Sequence, residues 1–346
     1  MRKVAVVTTG FFDGVHLGHR RVLETVVSSA RERGEEAVVV TFWPHPRTVL
    51  QQDARDFRLL TSLEEKKALL AAAGIDRTEV LPFTREFASL KADEYLSLLQ
   101  QRYGASLIVM GYDNRIGSDK VTAREICSSQ AVASRPLPCA SASRGLWAPP
   151  SYPAEGGQRP GNHISPLPVV AVNPVIPETS VIPGTASTTS GTSSVIPGLT
   201  GNPISSTRIR KALEEGDVEA ANGMLGYEYG LHGVVVAGNR MGRTIGFPTA
   251  NMQLYEPLKL VPENGVYAVN VEVTGNVFRG MCNIGTRPTV GGTARTIETH
   301  ILGFNEDIYG LPLRIRFLRR IRDERKFPSL DALRAQLEQD ALNCKK

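Results

Sequence analysis

The sequence has little of several features that would point directly to a class of protein. Its 346 residues include four cysteines, and these are far apart with no Cys-x-x-Cys pair, so neither a zinc knuckle nor a disulfide framework is predicted. No stretch approaches the ~18 apolar residues of a membrane span. No long block of lysine and arginine indicates a nucleic-acid tail, although the net charge of +5 suits an anionic ligand.

The remaining composition is that of a globular protein, with 41% hydrophobic and 22% charged residues. The apolar run at residues 4–7 is too short for a signal peptide and leads into a glycine-rich turn. We therefore expect a cytoplasmic protein that binds neither nucleic acid nor a membrane. The sequence gives no indication of the oligomeric state.

Strand-like and helix-like segments alternate through the first third of the chain. Strands are predicted from apolar runs at residues 4–8, 37–42, 78–83 and 106–112. Helices are predicted from the spacing of apolar residues at 18–33, 63–74 and 92–103, with Thr61 and Glu64 as a capping box for the second. This alternation predicts a parallel, doubly wound, Rossmann-like sheet, in which ligands bind beyond the carboxyl ends of the strands.

Residues 121–203 differ from the rest of the chain. Proline, serine, threonine and glycine dominate there, and no apolar period is sustained. Such a segment cannot offset its ordering entropy, so it is predicted to be a mostly disordered insertion. A polyproline segment that docks a partner is the alternative. Within it, residues 122–127 are a candidate for one helical turn and residues 168–172 for one more strand.

Order is predicted to resume after residue 203. Two short helices are expected over residues 204–225, the second with Asp217 as its N-cap. Strand-like segments separated by turns follow at residues 230–238, 265–273, 276–285, 296–304 and 311–321. The turn at residues 274–276 is a hairpin signal, and Ser329 is the predicted cap of a terminal helix. Consecutive antiparallel strands followed by one helix predict a small closed β-barrel.

The stretch "GFFDGVHLGH" at residues 10–19 follows the first predicted strand and precedes the first helix. Its glycines allow close approach of the backbone to a ligand, and a helix N-terminus binds anions. His16 and His19 add donors that can become cationic. This combination suits nucleotidyl transfer, in which a phosphate attacks the α-phosphorus of ATP without a nucleophilic residue. A metal site and purely structural histidines are the alternatives.

These motifs resemble a known family. "GFFDGVHLGH" resembles the His-x-Gly-His signature of the nucleotidylyltransferases, and its form is similar to that of the bifunctional bacterial riboflavin kinase/FMN adenylyltransferases. The resemblance extends over residues 1–119 and 204–340, and further motifs carry it: "TFWPHP", "FRLLTSLEEKKALL", "LPFTREFASLKADEYL", "ISSTRIRKAL", "GRTIGFPTAN", "NIGTRPTV", "IETHIL" and "DIYG".

The resemblance implies roles for matching positions in the adenylyltransferase part. His16 and His19 would be catalytic, holding the ATP phosphates and the transition state. The other ATP- and phosphate-binding residues implied there are Asp13, His45, Ser206, Thr207 and Arg210. Asp113 would bind flavin or nucleotide. Taken alone, the "SST" motif could equally be an N-cap.

The resemblance also implies roles in the riboflavin kinase part. Thr249 and Asn251 would bind Mg²⁺, a cation that prefers hard oxygen donors, and Gly246 and Pro248 would bind ATP. Glu298 would be the catalytic base that takes the proton from the ribityl hydroxyl. Asn283 and Arg287 would lie near flavin or nucleotide. The alternatives are a hairpin turn at "GRTIGFPTAN" and a solvent-facing Glu298.

Taken together, the sequence predicts an adenylyltransferase domain at residues 1–120 and 204–225, an insertion at 121–203 and a kinase domain at 226–346. The protein would convert riboflavin to FMN with ATP, and FMN to FAD and pyrophosphate with a second ATP, using Mg²⁺. One alternative is a riboflavin kinase alone, with the adenylyltransferase part degraded by the insertion, because residues 121–203 stand where the family has a further strand. "GYDNRIG" also has Asn114 and Ile116 where the family has aromatic residues. The other is a non-catalytic flavin-binding or regulatory protein.

Overall fold

The computed structural model describes residues 3–50, 57–111, 114–127, 167–172, 203–238, 241–289 and 292–345. The chain divides into two compact units. The first contains Met1–Phe11, His19–Ala54 and Lys67–Pro174, and the second contains Phe12–Gly18, Arg55–Lys66 and Val175–Lys346.

The helices of the first half are α1 (Leu17–Arg33), α2 (Pro46–Leu50), α3 (Leu63–Ala72), α4 (Arg85–Ala88), α5 (Ala92–Tyr103) and α6 (residues 123–127). Those of the second half are α7 (Ser206–Glu214), α8 (Val218–Leu225), α9 (Met241–Thr244) and α10 (Leu330–Lys345). In the parts of the chain just given, no helix is both long and apolar enough to cross a membrane.

The strands before residue 200 are β1 (Ala5–Thr9), β2 (Glu36–Trp43), β3 (Arg77–Pro82), β4 (Ala105–Gly111), β5 (Arg115–Ile116), β6 (Val121–Thr122) and β7 (Val169–Val172). The later strands are β8 (Gly230–Val236), β9 (Ala250–Leu254), β10 (Gly265–Val273), β11 (Asn276–Thr289), β12 (Gly292–Ile301) and β13 (Pro312–Arg322).

A five-stranded parallel sheet with the order β3-β2-β1-β4-β7 forms the centre of the first unit. β1 is buried along its whole length, as expected for a strand with helices on both faces. The prediction of a parallel, Rossmann-like sheet is confirmed. The candidate strand at residues 168–172 is also confirmed, because β7 pairs in parallel with β4, Ile108 lying opposite Val169.

The predicted capping box of α3 is wrong by one residue. The Ser62 hydroxyl accepts a hydrogen bond from Glu65 N at 3.1 Å, and the Glu65 carboxylate accepts one from Ser62 N at 2.8 Å. Thr61 is unavailable as a cap because its hydroxyl accepts a bond from Gly14 N. The residue that caps α3 therefore depends on Gly14, which lies 47 residues from Thr61 in the chain.

A closed antiparallel barrel with the order β10-β11-β12-β9-β8-β13 forms the core of the second unit, which confirms the predicted barrel. The hairpin between β10 and β11 turns at Thr274 and Gly275, both with positive φ. Such a turn follows the twist of the flanking strands. Cys282 is fully buried in this core, and burial raises the pKa of its thiol to about 12.

The terminal helix α10 is held to the barrel by a buried ion pair. Asp340 is fully buried, and its carboxylate accepts bonds from Arg322 Nε at 3.0 Å and Nη2 at 2.8 Å. Ser329 caps the helix, as predicted, by accepting a bond from Ala332 N at 3.2 Å. Asp217 likewise caps α8 through Ala220 N.

The segment "GRTIGFPTAN" is not wholly a loop. α9 covers its first residues, and β9 begins at Ala250 and pairs with both β8 and β12. Strand β9 was not predicted because glycine and proline dominate the residues before it, and those residues indicate a turn.

Candidate active sites

The loop that follows β1 is folded through several left-handed residues. Gly14 has a φ of 80°, and a Cβ there would lie 2.9 Å from the Leu60 side chain, so glycine is required on both grounds. Phe12 and Val15 also have positive φ, 53° and 36°. Such conformations cost about 1–3 kcal/mol each and concentrate at functional sites.

Asp13 is the centre of this loop's hydrogen bonding. Its buried carboxylate accepts bonds from Leu60 N and Thr61 N at 3.1 Å, and from the Thr61 hydroxyl at 3.3 Å. Arg210 forms an ion pair with the same carboxylate. Several protein donors therefore converge on Asp13, which places it in the framework of the loop.

His16 lies in the same loop and is 5% exposed. Burial, together with the nearby charge of Arg210, lowers its pKa to about 4. The imidazole is therefore neutral at pH 7. The sequence had predicted a donor at this position that can become cationic. Gly18 provides room for the ring, since a Cβ at Gly18 would lie 3.1 Å from it.

Of the "SST" motif, the structure places one hydroxyl in a helix cap and one in a contact with the His16 loop. Ser205 is the N-cap of α7 and accepts a bond from Arg208 N at 3.4 Å. Ser206 donates from its hydroxyl to Asp13 O at 3.0 Å, while Thr207 is exposed. Arg210 donates from Nε to Arg58 O at 2.8 Å, in addition to its ion pair with Asp13. Asp13, His16, Ser206 and Arg210 thus belong to one group of residues in the second unit.

His19 and His45 lie in the first unit. His19 is in the first turn of α1. His45 accepts a bond from Arg47 N at 3.0 Å on Nδ1, and its ring makes an edge contact with Phe11, with centroids 3.9 Å apart. Asp113, the remaining site residue predicted for this part of the chain, lies outside the described residues.

An aromatic cluster at the carboxyl ends of β2 and β3 was missed by the sequence analysis. Its members make mutual ring contacts at centroid distances of 5.4–6.4 Å and are Phe42, Phe83, Phe87 and Tyr95. Tyr95 also shares a 2.5 Å hydrogen bond with the Thr9 hydroxyl. Asn114 donates to Thr9 O at 3.5 Å. The available signal was the position of Phe42 and Phe83 at the ends of predicted strands, where ligands bind.

Three predicted residues of the barrel stand in one row across the sheet. Glu298 on β12 lies directly opposite Asn283 on β11 and Asn251 on β9. Residues directly opposite on antiparallel strands project their side chains from the same face. All three side chains are half-buried. The structure therefore brings together the predicted base, one predicted metal ligand and one predicted flavin contact.

A pocket lies at the start of β9, and the three residues of the row are not among those that line it. Its lining includes Pro248 and Thr249 from the segment before β9, residues 304–309, and Arg243 and Thr299. His300 contacts Pro248 O through Nδ1 at 2.7 Å and fixes that segment. Gly246 has a φ of 83° in the same segment. Arg287 lies on β11, opposite Ala294.

The parallel sheet is followed by a strained loop that carries glycine and histidine, and the barrel carries a carboxylate between two amides. These two features are those of a protein that transfers phosphate-containing groups. Two family models match the chain: "FAD synthetase" over residues 1–134 and "Riboflavin kinase" over residues 225–346.

Curated relatives match nearly the whole chain. The bifunctional riboflavin kinase/FMN adenylyltransferase of Bacillus subtilis is 33% identical over 97% of this chain and 90% of its own length, and that of Escherichia coli K12 is 32% identical over 98% and 91%. The chain belongs to the bifunctional riboflavin kinase/FMN adenylyltransferase family.

A solved structure described as a macrolide-efflux protein from Streptococcus pneumoniae is also similar. It is 31% identical, has a TM-score of 0.79 and aligns with 100% of this chain and 95% of its own. The fold of the described residues is therefore similar to that of a crystal structure, and efflux is said of that protein alone.

Proposed function

We propose that this chain makes FMN from riboflavin and ATP at its barrel, and FAD and pyrophosphate from FMN and a second ATP at its parallel sheet. The observation that carries the double activity is β7, which pairs with β4 and extends the sheet to five strands. It supports a bifunctional enzyme because loss of this strand would have left the adenylyltransferase part incomplete. The domain boundaries proposed are residues 1–120 with 204–225, to which β7 adds residues 169–172, and 226–346.

The row on the barrel supports a direct phosphoryl transfer. Glu298 would accept the proton of the ribityl 5′-hydroxyl as that oxygen attacks the γ-phosphorus of ATP, and ADP would leave. Asn251 and Asn283 stand on either side of Glu298, and Asn283 would contact the flavin. Gly246 and Pro248 would bind ATP, and Arg287 would contact the flavin or nucleotide.

Thr249 and Asn251 fit a magnesium ion. Their hydroxyl and amide oxygens are hard, neutral donors, and Mg²⁺ in such sites is held by few protein ligands together with phosphate oxygens. When bound, Mg²⁺ supplies positive charge that offsets the charge of the phosphates. Thr249 lines the pocket at the start of β9 and lies two residues before Asn251, which supports this assignment.

Adenylyl transfer needs positioning more than covalent chemistry. A phosphate oxygen of FMN would attack the α-phosphorus of ATP and pyrophosphate would leave. His16, neutral at pH 7 because its pKa is about 4, would donate a hydrogen bond to a phosphate oxygen. His19 sits where the N–H groups of α1 are unpaired by the helix itself, and it would bind phosphate together with them. Asp13 would shape this loop.

The other ATP contacts proposed for this part are His45, Ser206, Thr207 and Arg210, and Asp113 is proposed to contact the flavin nucleotide. Ser206 and Arg210 are already hydrogen-bonded to the residues around Asp13. Binding of triphosphate by the Ser206 hydroxyl would replace its bond to Asp13 O, because a hydroxyl has one O–H to donate. Arg210, whose guanidinium has five N–H groups, would add phosphate contacts to those it already makes.

A riboflavin kinase without adenylyltransferase activity is the second candidate. It is favoured by Asn114 and Ile116, which stand where the family pattern has aromatic residues. Ile116 is buried in the core of the first unit, and Asn114 is turned to the backbone of Thr9. Neither side chain then offers an aromatic surface to a flavin.

A product assay distinguishes these functions. Purified chain is incubated with Mg²⁺, ATP and either riboflavin or FMN, and the flavins are separated by chromatography. FAD from both starting compounds is the result expected. FMN that accumulates without conversion to FAD would favour the kinase alone, and no product from either would contradict the proposed function and favour a flavin-binding protein.

A further inference from the structure

Side chains in the stretch matched by the riboflavin kinase model contact stretches matched by the FAD synthetase model. Tyr227, Tyr229 and Lys259 lie within residues 225–346. Their polar contacts include Gly14 and Leu60, which lie within residues 1–134. All of these residues belong to the second compact unit.

The first contact acts directly on the strained loop. The Tyr227 hydroxyl donates to Gly14 O at 2.8 Å, two residues before His16. On its other side, Gly14 N donates to the Thr61 hydroxyl at 3.1 Å. Both peptide groups of Gly14 are thus held, at a point where the chain has a left-handed conformation that needs support from outside the loop.

The second contact acts through one intermediate segment. Leu59 pairs with Lys259 in a parallel bridge, with Leu59 N bonded to Leu258 O at 2.7 Å and Leu260 N bonded to Leu59 O at 2.8 Å. The Lys259 ammonium donates to Leu60 O at 2.7 Å and to Glu65 at 2.5 Å.

The surroundings of Lys259 make these bonds important. The residue is 5% exposed, and its ammonium lies 4.8 Å from the centre of the Tyr229 ring. A buried ammonium must be fully paired, so the Leu60 carbonyl has a fixed place. The N–H of Leu60 donates to the Asp13 carboxylate. Leu60 therefore links Lys259, which follows β9 of the barrel, to the loop that contains Asp13 and His16.

We propose that Tyr227 and Lys259 are positioning residues for adenylyl transfer. Their role is to hold the His16 loop in the conformation that transfers AMP; this inference rests on the proposed function. A displacement of about 1 Å at a reacting group can cost a hundredfold in rate, so loss of one anchor on a strained loop has a measurable effect on turnover.

The Tyr227→Phe variant tests the direct contact, because it removes one oxygen atom and keeps the ring. Its matched control is Tyr255→Phe, at a barrel tyrosine that is 54% exposed. We expect Tyr227→Phe to lower kcat for FAD formation from FMN about five- to tenfold, with KM for ATP within about twofold. Riboflavin phosphorylation stays at the wild-type rate in both variants. An unchanged kcat for FAD formation, or equal losses in both activities, would overturn the proposal.

The Lys259→Met variant tests the indirect contact, and Lys259→Arg is the conservative variant. We expect Lys259→Met to lose FAD formation selectively and Lys259→Arg to recover part of it, since guanidinium can still donate to Leu60 O and Glu65. A fall in kinase activity that parallels the fall in FAD formation would mean general unfolding and overturn a positioning role for Lys259.

Hydrogen exchange gives a readout that does not depend on catalysis. We expect peptides that cover residues 12–18 to exchange about fivefold faster in Tyr227→Phe than in Tyr255→Phe, with β10 unchanged. Equal exchange would overturn the proposal. Wild-type protein that forms FMN but no FAD would overturn the adenylyltransferase function, and with it the catalytic part of this inference, while the exchange result still decides whether Tyr227 anchors the loop.

Discussion

At the scale of single residues, His16 differs from an exposed histidine because its surroundings oppose the charged form. Burial removes the water that would solvate an imidazolium, and Arg210 adds positive charge nearby. The ring therefore acts as a neutral hydrogen-bonding group. Because folding disfavours its protonation, it makes the free energy of unfolding depend on pH.

We expect the free energy of unfolding to depend on the protonation of His16. The folded pKa of about 4 lies below the unfolded value of about 6.5, so the unfolded chain binds the proton first. The contribution of neutral His16 to the free energy of unfolding is complete above about pH 6.5 and is lost as the pH falls toward 4.

Urea unfolding of wild type and His16→Gln at pH 7 and pH 5 measures this. Between these pH values the wild type should lose about 2 kcal/mol more than the variant. Parallel losses in the two proteins would contradict a buried, neutral His16.

Glu298 gives the second prediction at this scale. Glu298→Gln keeps the side chain's size but cannot accept a proton, so the rate of riboflavin phosphorylation should fall at least about a hundredfold. Formation of FAD from FMN should be unaffected. The matched control is Glu272→Gln, which also replaces a carboxylate on a barrel strand. Similar kinase rates in both variants would argue against Glu298 as the base.

At the scale of elements, β7 is short and lies at the edge of the sheet. Its two faces differ, since Val169 is buried and Val170 is 36% exposed. Because Val170 is as apolar as Val169, side-chain polarity does not set the register of the strand; the backbone pairing with β4 places Val169 opposite Ile108.

A matched pair of substitutions tests the contribution of β7. Val169→Asp places a carboxylate in the apolar core, where an unpaired charge costs several kcal/mol, whereas Val170→Asp places it on the exposed face. We expect the first variant to lose at least about tenfold in FAD formation and to retain kinase activity, and the second to match the wild type in both assays. Equal behaviour of the two variants would show that adenylyl transfer does not need β7.

At the scale of the whole molecule, two described residues on either side of residues 128–166 are in contact. The Cys127 thiol donates to Val169 O at 3.1 Å. The contact between Cys127 and Val169 means that a segment much shorter than residues 128–166 can join the two positions.

We expect replacement of residues 128–166 by about eight glycine and serine residues to preserve folding and both activities within about twofold. Closing a shorter loop costs less entropy, so stability should rise by about 1 kcal/mol. Thermal unfolding and the two flavin assays measure this. A selective loss of FAD formation would mean that the replaced residues contribute to adenylyl transfer.

The sequence predicted those elements of the fold that are marked by a pattern of neighbouring residues. The helix at residues 92–103 and the strand at 265–273 were predicted with the observed bounds, because apolar spacing and flanking turns mark both. The cap of α3 was misplaced and β9 was missed, because a partner elsewhere in the chain decided each.

The candidate sites show the same division. Glu298, Asn251 and Asn283 were singled out from motifs, and the strand register places them in one row. The ties from Tyr227 and Lys259 to the His16 loop could not be predicted, since they join positions about 200 residues apart and no local pattern marks them.

The burial of Cys282 has a chemical consequence. With a pKa of about 12 the sulfur is almost entirely protonated at neutral pH, and the thiolate is the form that reacts with alkylating reagents. In the closed barrel this cysteine is inert. Alkylation at this position would therefore mark only those molecules whose barrel has opened, so the chain carries its own covalent reporter of barrel unfolding.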